Sequence, residues 1–206
     1  MTITLNRLYD DYTTALSLVR ELQNERIPAD DMSIVANNSD DWYDERTKRP
    51  RVDRDANGVD DRAEAAGAGA GIGGTLGATA GLLAGLGILA IPGLGPVVAA
   101  GWLASTAAVA AAGAATGGII GALSQTSVSE EDAHVYAEGI RRGGALVTVR
   151  VQEGDRAKIE AILNKGGVDI RERELAYRSN GWSEFDAELP HYSADDARKE
   201  RDMYRL

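Results

Sequence analysis

The sequence predicts an α+β protein: a ferredoxin-like four-stranded domain split by a long Gly/Ala-rich helical hairpin. Three observations lead there. The chain opens on a strand–helix–strand pattern, and a second such pattern lies in its C-terminal third. Between them, residues 65–128 hold no Asp, Glu, Lys, Arg or His, in a protein that is 26% charged. Neither strand–helix–strand half has enough strands for a stable sheet. Joined, they give four strands with helices on one face and bring the two ends of the charge-free stretch together. The expected divisions are 1–36 and 129–172 for the two halves, 37–64 for a polar linker, 65–128 for the apolar hairpin, and 173–206 for an aromatic, charged tail.

The first half begins with Thr2-Ile3-Thr4-Leu5, whose alternation is a strand signal. Asp10 or Asp11 caps a helix whose Ala15, Leu18, Val19 and Leu22 fall on one face. Ile27-Pro28 ends it, and residues 32–36 form a second strand. In the second half, Ser129-Glu130-Glu131-Asp132 starts a helix that buries Ala133, Tyr136, Ala137 and Ile140. Arg141-Arg142-Gly143-Gly144 closes it. Val147, Val149 and Val151 alternate along a strand, and Ile159, Ile162 and Leu163 mark the next helix. Val168-Asp169-Ile170 reads as the last strand. In the tail, Trp182, Phe185 and Tyr192 are expected to strap the domain, and Ser193 starts a short charged helix.

The charge-free stretch is cut once, at Ile91-Pro92-Gly93-Leu94-Gly95-Pro96, where clustered Pro and Gly break a helix. Each side is long enough to cross a bilayer, for which about 20 helical residues suffice. Gly69, Gly73, Gly77, Gly81 and Gly85 recur at a four-residue step; Gly101, Ser105, Gly113, Gly117 and Gly121 fall on the same repeat on the far side, with Val109 filling the one gap. Such a step keeps small residues near one helix face, the small-xxx-small pattern of close helix packing. Glycine weakens a water-exposed helix by about 1 kcal/mol per position, so the ladder predicts a backbone-to-backbone contact and makes a homo-oligomer the expected assembly. Membrane lipid is the second expected partner. Counting Arg46, Lys48, Arg49, Arg51, Arg54 and Arg62 before the hairpin and Arg141 and Arg142 after it places both termini in the cytoplasm, at the inner membrane. The competing reading is a soluble assembly with the hairpin in its core, since residues 65–81 carry only Ile72 and Leu76 as large apolar side chains.

Residues 53–64, DRDANGVDDRAE, satisfy the D-x-[DN]-x-[DN]-G-x₅-E calcium-loop pattern. Asp53, Asp55, Asn57, Val59, Asp61 and Glu64 would supply the oxygens and Gly58 the turn. Asp60 stands where such loops carry an apolar residue, and Pro50 and basic residues occupy the place of the preceding helix. A solvated linker fits the same residues equally well, and the two readings stay open.

A net charge of −10 argues against a general nucleic-acid binder. With no cysteine there is no thiolate or Cys-based metal chemistry. Met1-Thr2-Ile3-Thr4-Leu5 lacks the pattern of a cleaved signal peptide. His134 and His191, the only histidines, sit in no recognisable triad or metal motif, and no G-x-x-x-x-G-K-[ST] loop occurs. The expectation is a non-enzyme.

Residues 82–102 (LLAGLGILAIPGLGPVVAAGW) and 128–151 (VSEEDAHVYAEGIRRGGALVTVRV), with the opening strand–helix–strand, give the chain a resemblance to the bacterial general-stress-protein family. Proteins of that family look like small α/β domains interrupted by a Gly/Ala-rich apolar hairpin. The resemblance covers most of residues 1–170 and implies a stress-linked role; it supplies no catalytic residues.

Overall fold

A computed structural model describes residues 1–39, 43, 87–91, 94–104 and 118–204. The elements in chain order are β1 (Thr2–Tyr9), α1 (Tyr12–Asn24), β2 (Met32–Asn37), β3 (Gly87–Ile91), β4 (Gly95–Gly101), α2 (Gly118–Ser124), α3 (Glu130–Arg141), β5 (Ala145–Gln152), α4 (Arg156–Leu163), α5 (Ile170–Ser179) and α6 (Ala194–Tyr204). The fold is α+β, around a five-stranded sheet of order β1-β5-β2-β4-β3 in which all neighbours are antiparallel.

The caps behave as their residues demand. Asp11 accepts the Thr14 N–H at 2.8 Å to start α1, and Ser129 accepts the Asp132 N–H at 3.1 Å to start α3. Strands β1 and β2 run parallel and are linked by α1. They do not touch, because β5 lies between them, from Thr2↔Gln152 to Tyr9↔Ala145 on one side and from Met32↔Val149 to Ala36↔Ala145 on the other. This is a split βαβ unit.

The sheet is covered on both faces, which corrects the one-face arrangement. On one side, Val147, Val149, Ile34 and Val98 pack with Leu18 and Leu22 of α1 and Ile159 and Leu163 of α4. On the other, Leu146, Val35, Val97 and Ala99 pack with Ile119 and Leu123 of α2 and Ala137 and Ile140 of α3. A strand buried on both faces needs apolar residues without alternation. That is the composition of Ile34-Val35-Ala36 and of Val97-Val98-Ala99-Ala100, all of which are buried.

Two further expectations are corrected. Val168-Asp169-Ile170 is not a strand. Asp169 is the N-cap of α5, its Oδ1 accepting the N–H groups of Arg171 and Glu172 at 2.9 and 3.1 Å, and an N-capping carboxylate competes successfully with a three-residue strand. Gly87–Ile91 and Gly95–Gly101 are not helical but form a β-hairpin, registered Ile91↔Gly95 to Gly87↔Ala99, and β4 continues onto β2 from Asn37↔Val97 to Ser33↔Gly101. The fourth and fifth strands thus come from the apolar stretch. Among the described residues no helix is long and apolar enough to cross a membrane.

Burial pushes the phenols of Tyr9, Tyr136 and Tyr177 above their ordinary value of 10.0. The Tyr9 hydroxyl also donates to the Leu163 carbonyl at 2.7 Å. A phenol whose pKa is higher folded than unfolded contributes stability that is whole below the unfolded value and drains as pH rises through the folded one. Resistance to urea should therefore decline above pH 10.0, with tyrosinate absorbance rising together with loss of helix signal, and Tyr9→Phe should flatten that decline. Ionisation of these phenols at their ordinary value in a still-folded chain would show that they are hydrated.

Candidate functional site

The sequence-predicted residues fall in different places. Asp53, Asp55, Asn57, Val59, Asp61 and Glu64 lie outside the described residues, as do Gly69, Gly73, Gly77, Gly81, Gly85, Ser105, Gly113 and Gly117. Gly101 is the last residue of β4, at φ 89°, where a Cβ would stand 2.2 Å from the Met32 carbonyl oxygen. Its small size serves strand crossing rather than a helix face. Gly121 is helical, in α2, but a Cβ there meets nothing within 4 Å. The two described members of the ladder therefore share no packing face. Among the described residues no group of three or more His, Asp or Glu side chains is placed to hold a metal.

The structure instead gathers charged and aromatic groups where the C-terminal segment crosses the end of α3. Glu138 is 0% exposed. Its carboxylate accepts from Arg141 Nε at 2.9 Å and Nη2 at 2.5 Å, and from Arg142 Nε at 2.6 Å. The spacing is i, i+3 and i+4, so one helix face carries all three groups. Arg142 reaches on to Glu200 of α6 through Nη1 at 2.9 Å, and its guanidinium lies 4.3 Å from the Tyr177 ring centroid. Burial works against the Arg142 charge, but the hydrogen bonds and charges of Glu138 and Glu200 outweigh it and hold its pKa above the ordinary value. A charge buried in this way is tolerated only when paired and hydrogen-bonded.

Residues 180–204 lie across this cluster as a strap. The Phe185 N–H donates to His134 Nδ1 at 3.1 Å, and the Pro190 carbonyl accepts from Arg141 Nη1 at 3.3 Å. Tyr192 sits beneath both arginines, at 5.4 and 5.5 Å. His191 packs on Gly95, where a Cβ would come within 2.4 Å of its ring, and Ala197 packs on Gly143, where a Cβ would come within 2.7 Å of its methyl. Arg173 of α5 bonds Asp10 at 2.7 Å and stacks 3.7 Å from the Tyr204 ring. The strap thus spans α3, α5 and the first residue of β4. His134 is engaged by it and His191 belongs to it.

A cavity of 320 Å³ opens elsewhere, between the end of α1 and the start of α4. Its lining mixes Glu25, Asp31 and Asp155 with Arg26, Arg150 and Lys158, and Lys158 is paired with Glu25. The charges offset one another, and no side chain stands out as a reacting group.

Sequence reading placed Arg141 and Arg142 at the C-terminus of α3 and the tail aromatics in a strap, but missed Glu138 and Glu200 as their partners. The Glu-x-x-Arg-Arg spacing was the available signal. Glu200, remote in sequence, had none. No protein-family model, curated protein or solved structure matches this chain.

Proposed function

We propose that this chain is a non-catalytic, self-associating module of the bacterial stress response, and that its apolar stretch packs inside protein rather than across a bilayer. The supporting observation is the β3–β4 hairpin. Gly95–Gly101 lies in the apolar stretch expected to cross a bilayer, yet it is hydrogen-bonded along β2, with Val97 to Ala100 buried between two helical layers. Lipid-facing helices would have to give up those bonds. The strand β3 forms one edge of the sheet, is uncharged, and exposes Ile88 at 46%. An uncharged edge strand is a template for further pairing, and in a chain of net charge −10 it is where copies repel one another least. The stress-linked role comes from the family resemblance, and with Gly101 and Gly121 set aside, Gly77 and Gly117 are among the glycines left to supply a second assembly face. Calcium bound at residues 53–64 would be an addition to this reading and not a condition of it.

The chain should sediment as an oligomer without detergent and leave membranes on carbonate extraction. Gly77→Leu and Gly117→Leu should reduce its mass while circular dichroism still reports the folded sheet. Retention in the carbonate-washed membrane would restore the spanning hairpin. Unchanged assembly of both variants would remove the glycine faces from the interface.

A further inference from the structure

The C-terminal strap occupies its seat as a bound peptide would. Of α6, only Ala197 and Glu200 are buried, while its sequence ADDARKERDMY is mostly charged. What holds it is polar: the Arg142–Glu200 pair, the Arg141 bond to Pro190, and guanidinium–ring contacts at Tyr192 and Tyr204. An element that hides so little apolar surface opens at the low end of the local free-energy scale.

The seat is also charge-selective. Glu138 neutralises one of the two guanidiniums beside it, and Glu200 neutralises the other. With the strap lifted, the end of α3 loses the Glu200 carboxylate and is left with one uncompensated positive charge beside the Tyr177 ring. Such a site draws a segment that brings a carboxylate between aromatic rings, and residues 190–204 do so with Glu200 between Tyr192 and Tyr204. The non-helical connection, residues 180–193, can extend on the order of 45 Å, more than the roughly 30 Å breadth of a small domain.

We propose that the Arg141–Arg142–Arg173 seat is a receptor for C-terminal straps, filled in cis within one chain and in trans by the strap of a second copy, so that copies are joined by exchange. Exchange conserves every contact of the closed form, which makes it a low-cost route to an oligomer. The inference rests on the self-association reading and names its mechanism.

The test uses the full chain and a fluorescent synthetic peptide of residues 188–206. In a chain weakened by Tyr192→Ala with Glu200→Ala, the cis competitor is lost, and the peptide should bind at least about tenfold tighter than to the unaltered chain, as read by anisotropy. A peptide carrying the same two substitutions should lose that gain on the same protein. Should the double variant lose its fold by circular dichroism, Glu200→Gln alone gives the comparison, because it removes the charge and keeps the shape. Excess unaltered peptide should lower the sedimenting mass of the unaltered chain. Equal binding to the weakened and unaltered chains overturns the receptor. An oligomer that persists under saturating peptide overturns exchange and leaves self-association standing. A chain that is monomeric at every concentration removes both.

Discussion

Glu138→Ala should lower the stability of the folded chain by about 3–5 kcal/mol, the range for removing one partner of a buried ion pair. The residue is fully buried, and both its neighbours are themselves nearly so: the Arg141 and Arg142 side chains are 8% and 12% exposed. Alanine leaves Arg142 with Glu200 alone and Arg141 with the Pro190 carbonyl alone. The lost hydrogen bonds cannot be replaced by water without moving the strap. The change should appear as a drop in the urea midpoint at nearly constant slope. Arg171→Ala, whose side chain is 62% exposed in its pair with Asp132, should change stability by less than about 1 kcal/mol. A shift for Glu138→Ala as small as that would mean the cluster is hydrated and the strap is not anchored by it.

Gly101→Ala should unfold the sheet from the β4 end, lowering stability by more than about 2 kcal/mol. Two penalties coincide there. The backbone lies at φ 89°, where an L side chain is strained. The new Cβ would also press on the Met32 carbonyl oxygen at 2.2 Å and Ser33 Cα at 2.7 Å, and a backbone, unlike a side chain, cannot rotate away. Gly121→Ala is the control. Its Cβ meets nothing within 4 Å in α2, so the usual helical preference for alanine should leave the protein unchanged or up to about 1 kcal/mol more stable. Were the two glycines steps of one helix ladder, both substitutions would affect packing and neither would strain the backbone. Urea titration of the pair separates the two cases, and equal mild responses would remove the β4 assignment.

These two glycines also show where reading the sequence stops. Periodicity separates a helix from a strand only when the residues of one face are polar. Val147, Val149 and Val151 were legible because polar Thr148 and Arg150 alternate with them, although Thr148 is itself buried in the fold. Asp11 and Ser129 were legible because capping is local chemistry. Val97-Val98-Ala99-Ala100 was not, because burial on both sheet faces erases the alternation and leaves a run that a buried helix would share. The first residues of α5 were misread for a different reason: Val168 and Ile170 resemble a strand, while Asp169 between them is a helix cap. The candidate site was half legible. Arg141 and Arg142 and the strapping aromatics stand out in the sequence, but the pairing of Arg142 with Glu200 spans 58 positions and exists only in the folded chain.

The place of β5 has a consequence for the newborn chain. It separates β1 from β2, and its register joins Thr2 to Gln152. Strand β2 can pair with β4 as soon as residues 95–101 are made, but β1 has β5 as its sole neighbour and cannot complete its pairing until the ribosome has delivered residue 152, on the order of ten seconds after Thr2 at ordinary rates of synthesis. Contacts of such long range fold slowly once complete. The N-terminal strand is thus the first part of the sheet to be made and among the last to be paired.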